Sequence, residues 1–413
     1  MDEKKRLEVL SPAGDKEKLI MAVTYGADAV YLAGPAYGMR AAAGAFGAED
    51  MAWAAEYCHG RGVKVYVTVN TIPNDAQMDA LPAYLESLDA AGVDGLILSD
   101  LGVLTLAKQY APHAAIHIST QAGVMNSETA RAFYDLGASR VVLAREMSLE
   151  QIRELRRRIP AELELEAFCH GAMCVSFSGR CVLSNYLTGR DANQGQCAQP
   201  CRWKYHVIEE KRPGQYLELT EDGGTYLFNS RDMCMINHVP ALLEAGITSL
   251  KLEGRTKSSY YAAAVTNAYR HAADAAMAGA PLDPAWEREV YAVSHRPYST
   301  GFYFGEPGQY DKDACYFSSY DVMAVVESCD EAGNAVLSQR NRFFVGDELE
   351  LLMPGMLPVA FTAGSIFNED GEPIESTNHP KMTFRMTLPV HAPQYSFVRK
   401  KRTESKSGHG IAP

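Results

Sequence analysis

Apolar and polar positions along the first 255 residues repeat one unit. A short apolar run ends in polar residues or glycine, and a longer stretch with helical spacing follows. The predicted strands are Leu7–Leu10, Ala29–Ala33, Val63–Val69, Gly95–Ser99, Ile116–Ser119, Arg140–Ala144, Leu163–Phe168 and Ser249–Glu253. Small-residue turns precede several of them: YGADAV from Tyr25, AGVDGL from Ala91, LGASRV from Leu136 and AGITSL from Ala245. Glycine there supplies the left-handed cap that ends a helix. Eight strands alternating with helices predict a parallel (β/α)8, TIM-like barrel over about residues 1–280. An open doubly wound sheet is the competing architecture, but no strand–helix turn carries GxGxxG or a P-loop.

Within the strands, alternate positions are polar. One face carries Lys64, Tyr66, Thr68 and Asn70; others carry His117, Ser119 and Gln121, then Glu164 and Glu166, then Lys251 and Glu253. The intervening valines and leucines suit the helix-covered side, so the two-residue period turns the polar set into the barrel. Two readings follow. The charges neutralise one another inside, as buried charges must, or they furnish a site at the barrel mouth.

After the seventh strand the rhythm stops for about seventy residues, in a cysteine-rich insertion over about 169–235. Loops this long inside a compact domain usually serve a function. A strong helix follows Arg255, then a connector over 281–319. From Tyr320 to Val398 the pattern becomes short strands with turn signals, which predicts a small all-β barrel domain. The basic and polar residues 399–413 read as a disordered tail.

Composition adds limits. There are 39 basic and 51 acidic residues, for a net charge of −12, which argues against a broad surface that coats nucleic acid. Local basic runs remain: Arg153, Arg156, Arg157 and Arg158 on one helix, either a solvated face or a phosphate contact, and Arg202 with Lys204. The start of the chain shows no apolar leader and no stretch approaches a membrane span, so a cytoplasmic protein without membrane contact is expected. In that reducing compartment clustered thiols point to metal or redox chemistry rather than disulfides.

Five of the nine cysteines lie between Glu166 and Arg202. Cys174, Cys181, Cys197 and Cys201 are separated by six, fifteen and three residues. Zinc ribbons favour paired close knuckles, whereas iron–sulfur ligation tolerates irregular spacing. The spacing favours a cluster over zinc and leaves buried free thiols open, with Cys234 as a substitute ligand. Cys169 and His170 are neighbours at the end of strand seven. Adjacent strand residues point to opposite faces, which weakens them as a nucleophile–base pair. Neither an HExxH helix nor a GxSxG elbow is present.

The run EAFCHGAMCVSFSGRCVLS from Glu166 resembles the signature of the collagenase-like peptidases of unknown catalytic type. SPAGD at Ser11, NSRDM at Asn229, KLEGR at Lys251 and HRPYSTGF at His295 resemble other blocks of that family. Despite the family's name, the resemblance implies hydroxylation of RNA or of a quinone precursor. It implies a [4Fe–4S] cluster on Cys174, Cys181, Cys197 and Cys201. By length and appended β domain the chain looks like the tRNA branch, which forms 5-hydroxyuridine at the wobble position with prephenate as co-substrate. Peptidase action, ribosomal RNA or a quinone precursor are the alternatives, and a second family member is a possible partner. On that reading Arg145 and Arg255 would clamp carboxylates, unless they pair with Glu146 or Glu253. Glu166 and His170 would move protons. Asn70, Gln121, Lys251 and Glu253 would line the substrate site, and the β domain with the arginines near Arg156 would hold the RNA backbone.

Overall fold

The computed structural model describes residues 6–39, 45–174, 176–177, 181–203, 207–208, 216–217, 230–308, 310 and 316–402. Strands β1 (Glu8–Pro12), β2 (Ala29–Ala33), β3 (Lys64–Val69), β4 (Gly95–Leu98), β5 (Ala115–Ile118), β6 (Arg140–Val142) and β7 (Glu164–Ala172) pair in parallel, each with the next. Between them run α1 (Lys16–Thr24), α2 (Ala48–His59), α3 (Asp75–Ala90), α4 (Leu101–Tyr110), α5 (Ser127–Asp135) and α6 (Leu149–Arg158). The insertion contributes α7 (Leu183–Thr188), the hairpin β8 (Val207–Ile208) and β9 (Tyr216–Leu217), and β10 (Asp232–Cys234). After α8 (Val239–Glu244), strand β11 (Ser249–Leu252) pairs in parallel with both β1 and β7. That double pairing closes the barrel, so the eight predicted strands stand and the open sheet is excluded. Helix α9 (Ser259–Ala278) completes the ring.

Local chemistry accounts for the helix starts. The side chains of Asp15, Asn74, Asp100, Asn126, Ser148 and Ser258 each accept a first-turn backbone N–H, and Asn74 and Ser148 form reciprocal boxes with Gln77 and Gln151. Gly26, Gly92, Gly137 and Gly246 take positive φ at the expected helix ends. Val65, Val67 and Val69 are buried towards the helices, and removing such side chains from water stabilises by roughly 1.5–3 kcal/mol each.

The barrel interior is polar at its lower end. Arg140 donates to Glu8 (2.6 Å), Glu164 (2.6 Å) and Glu166 (3.1 Å), and Lys251 donates to Glu166 at 2.6 Å. Tyr66 and Ser249 add hydroxyl donors to Glu8. Burial would lower the Arg140 pKa, but Glu8 and Glu166 hold it above the ordinary arginine value. Above this layer lie Leu10, Tyr31 and Ile97. The inward polar face is therefore present, and at this level its charges neutralise one another. Lys64 is the exception: it is exposed.

Segment 281–319, expected as a connector, is structured at both ends. α10 (Pro284–Ala292) belongs to the compact unit formed with residues 317 onward, while residues 295–316 belong to the barrel unit, where β12 (Tyr298–Ser299) pairs with β10.

The second unit is one antiparallel sheet of eight strands, a half-barrel: β13 (Tyr320–Cys329), β14 (Asn334–Gln339), β15 (Glu348–Leu352), β16 (Val359–Thr362), β17 (Ile366–Phe367), β18 (Pro373–Ile374), β19 (Thr383–Thr387) and β20 (Phe397–Lys401). Met323, Val326, Leu337, Phe343, Leu351, Phe384 and Val398 fill its core. The tail expected from residue 399 begins too early. Arg399 lies in β20, buried, with its guanidinium on Glu289 of α10 and on Glu350. Two carboxylates make this cation a core residue, which its basic neighbours in sequence disguise. Residues 403–413 of that expected tail lie outside the described residues.

Candidate functional site

Strand β7 is longer than expected and leaves the barrel by its own upper half. Phe168 is in register with Lys251 but His170 with Leu252, so Cys169 is the extra residue of a bulge. Beyond it, β10 returns antiparallel on His170–Ala172. Gly171 has φ +108°, and a Cβ there would meet the Glu253 carbonyl oxygen at 2.2 Å. Only glycine lets β7 approach the end of β11 so closely. The return is pinned by Asp232 and Arg296, both buried, and by Tyr303, whose hydroxyl donates to Phe168 O at 2.6 Å.

The cysteine insertion starts from this point and crosses the C-terminal end of the barrel. Gln194 reaches Gln77 and the Ile72 carbonyl, beyond β3. A Cβ on Gly195 would strike Gly38 O at 2.7 Å, beyond β2. A Cβ on Gly123, beyond β5, would meet the Phe177 ring at 3.3 Å. The insertion thus covers the mouth that barrel enzymes use.

All eight described cysteines are free thiols. Burial, and then the neighbouring thiols of Cys174, Cys197 and Cys181, push Cys201 up to about 11, against the pull of Arg202. Four sulfurs therefore share one region. The Gln199 N–H donates to Cys197 Sγ at 3.3 Å, and Gln199 holds φ +57° to make that turn. Among the described residues no group of three or more His, Cys, Asp or Glu side chains is arranged as a metal site. Cys234 instead faces Tyr269 (3.9 Å) and acts electrostatically on Cys169.

Beside the cysteines, Ala172, Gln199, Arg202, Glu253, Gly254, Thr256, Lys257 and Tyr316 line a small cleft with a cavity volume of about 20 Å³. Arg202 Nη1 donates to the Tyr316 hydroxyl at 2.7 Å, and Lys257 Nζ lies 3.9 Å from the Tyr316 ring centroid. Burial pushes Lys257 down to about 8, while Asp232 pulls upward and Arg202 and Arg296 push further down. Two cations and one carboxylate, Glu253, thus meet where the cysteine loop touches the loop after β11.

The predicted site residues divide. Glu253 lines the pocket and accepts from the Tyr31 hydroxyl at 3.1 Å. Arg145 reaches the Ala172 carbonyl at 3.4 Å and lies over Phe168. Arg255 is buried, and its carbonyl fixes Gly14 of SPAGD, where a Cβ would clash at 2.3 Å. Asn70 accepts from Met39 N–H and donates to Ser119, and Gln121 sits half-buried in the turn after β5.

Three expectations are corrected. Glu166 lies low in the barrel, with its oxygens on Arg140 and Lys251, because it completes the interior ion network. Lys251 is its partner there. His170 is wholly enclosed: Nδ1 is 3.3 Å from Tyr269 Oη and Nε2 is 3.3 Å from Tyr298 Oη. Burial, with His295 and Lys257 nearby, pushes it down to about 3, so it stays neutral and unsuited to proton shuttling near pH 7. The arginines of α6 are engaged locally: Arg156 caps carbonyls of Ile159, Pro160 and Leu163, and Arg157 and Arg158 pair with Glu154. Of the two readings open for them, these pairings match the solvated helix face.

Sequence reasoning missed Lys257, Tyr316 and Arg140. Lys257 was findable, because it lies two residues past Arg255 in the loop after the last strand, on the functional face of a barrel. Tyr316 and Arg140 gave no signal apart from tertiary pairing.

The catalytic possibilities of a peptidase are narrowed by the same geometry. Cys169 is fully buried, its thiol donates to Lys251 O at 3.5 Å, and burial pushes its pKa well above the ordinary thiol value. A neutral, tyrosine-bound His170 beside a buried thiol is not an activated pair.

Comparison with known proteins places these features in a family. The model of peptidase family U32 matches residues 14–313, and that of the family's C-terminal domain matches 318–399. The chain is 36% identical to tRNA hydroxylation protein P1 of Bacillus subtilis (strain 168), over 96% of this chain and 95% of that protein. It is 36% identical to tRNA hydroxylation protein P of Escherichia coli (strain K12), over 88% and 90%. It is 32% identical to a collagenase of Porphyromonas gingivalis, over 72% and 74%. With both halves matched and relatives aligned end to end, the chain belongs to peptidase family U32.

Proposed function

We propose that this protein hydroxylates tRNA, forming 5-hydroxyuridine at the wobble position with prephenate as co-substrate. The observation that carries the reading is the pocket where Gln199 and Arg202 of the cysteine loop meet Glu253 and Lys257 after β11. It joins a soft-ligand region to an anion-binding one at the barrel mouth. The near full-length similarity to proteins named for tRNA hydroxylation supports the choice of reaction. Among the described residues no helix is long and apolar enough to cross a membrane.

Cys174, Cys181, Cys197 and Cys201 would hold a [4Fe–4S] cluster. The donor set fits in its chemistry: four free thiols within electrostatic reach of one another and a backbone N–H on one sulfur, the kind of bond that tunes such clusters. Among the described residues, however, the four side chains are not drawn together as a metal site. When bound, the cluster supplies redox chemistry at the edge of the pocket. The chain's own residues do the rest. Lys257 and Arg202 would take a carboxylate of prephenate, and Arg145 and Arg255 would fix the surrounding loops and the second carboxylate. Asn70 and Gln121, across the mouth, would hydrogen-bond the extruded uracil. Tyr31 holds Glu253 in place for the pocket wall.

The test is mass spectrometry of tRNA nucleosides from a strain lacking the protein, with and without complementation. Loss and restoration of 5-hydroxyuridine is expected. Unchanged nucleosides, together with gelatin cleavage by the purified protein, would replace this reading with the peptidase one.

A further inference from the structure

The insertion that covers the mouth carries an apolar surface that the pocket does not use. Tyr186 is 84% exposed and Val182 70%, on or beside α7, and Trp203 is 44% exposed immediately after Arg202. The two aromatic residues lie on neighbouring segments that pack together. α7 packs against the turn at Pro200–Arg202, and the Ala198 N–H donates to Ser184 Oγ at 3.0 Å. Large exposed rings on a short polar segment are uncommon without a partner.

Charge selects the partner. Residues 167–204 contain four cations, Arg180, Arg190, Arg202 and Lys204, against the single acid Asp191, in a chain of net charge −12. This is a locally basic, aromatic segment on an acidic protein. Rings set among cations suit unpaired nucleotides, whose bases stack on aromatics while phosphates meet arginine. The position agrees. Trp203 directly follows Arg202, a wall of the pocket, so a nucleotide stacked on it would adjoin one entering the pocket.

We propose that Tyr186 and Trp203 form a base-stacking platform at the rim of the mouth, holding the unpaired nucleotides that flank the target base in an RNA loop. This rests on the RNA reading above. It adds a recognition surface and a requirement: the substrate must be single-stranded around the target, because a paired base has no free face for the rings.

The test uses the holoprotein and a fluorescein-labelled RNA hairpin with an unpaired loop, against a fully paired duplex of the same stem, read by anisotropy. The wild type should prefer the hairpin. Tyr186→Ala and Trp203→Ala should each weaken hairpin binding roughly tenfold and leave duplex binding unchanged. Tyr186→Phe and Trp203→Phe should restore it, since a ring suffices. A double alanine variant that keeps the hairpin preference overturns the platform. So does one that binds normally but loses self-association in sedimentation, because the patch is then a protein interface. Nucleosides from a complemented deletion strain separate the two claims. If the wild type restores 5-hydroxyuridine and the double variant does so equally, only the platform falls; if the wild type does not restore it, the reaction itself is wrong.

Discussion

Arg296 donates from Nε and Nη2 to one oxygen of Asp232, at 3.0 and 2.8 Å, and its backbone N–H takes the other oxygen at 3.1 Å. Both side chains are almost wholly buried, and they join two segments far apart in sequence, NSRDM and HRPYSTGF. Their pairing locks β10 and β12 onto the upper half of β7, the base from which the cysteine loop starts. Removing one partner of a buried, fully hydrogen-bonded pair costs about 3–5 kcal/mol. Arg296→Ala should show that loss in urea unfolding followed by circular dichroism, with Arg296→Lys recovering only part because the fork geometry is gone.

The interior network makes unequal demands. Arg140 neutralises Glu8, Glu164 and Glu166, whereas Lys251 serves Glu166 alone among its described ion pairs. Arg140→Leu should therefore destabilise more than Lys251→Met, by several kcal/mol against about 3. Denaturant midpoints of the two variants compare them directly.

Gly171→Ala should be the most damaging small change at the mouth. The left-handed backbone costs a side chain roughly 1–3 kcal/mol, and the added Cβ meets the Glu253 carbonyl at 2.2 Å. The pocket wall must shift. The expected result is loss of 5-hydroxyuridine in cells, with a protein that still melts cooperatively but at lower temperature.

Lys257 gives the pocket a pH dependence. Its folded pKa, pushed down to about 8 by burial, lies below the ordinary lysine value. For stability, the folded protein bears the cost of a buried cation below about pH 8, and that cost is relieved as pH rises through 8 towards the unfolded value. Binding runs the opposite way: the cation that holds an anionic co-substrate disappears above about 8. The apparent KM for prephenate should rise there, and Lys257→Arg should flatten the rise because arginine stays charged.

Much of the fold was legible because strand and helix periods are local. All eight barrel strands, the glycine turns that end helices, and the change to an antiparallel sheet near Tyr320 follow from runs of a few residues. The inward direction of Glu166 and Lys251 was legible too, but not their partner: Arg140 sits at the start of an ordinary apolar strand, RVV, and its role exists only across the barrel. The same limit hid the buried state of Arg399, which looks like one more cation in a basic run until Glu289 and Glu350 are beside it. His170 shows the converse. Its position beside the cysteines suggested chemistry, and the tyrosines that silence it come from Tyr269 and Tyr298, about a hundred residues or more away.

The central claim is that the cysteine loop and the pocket beside it carry tRNA hydroxylation. The most direct measurement is 5-hydroxyuridine in tRNA from a deletion strain that carries the wild type, Cys181→Ala or Arg255→Ala, at matched levels of soluble protein. The account predicts full modification with the wild type and none with either variant, with both variants still folded by circular dichroism. Full modification by the Cys181→Ala and Arg255→Ala proteins would contradict it.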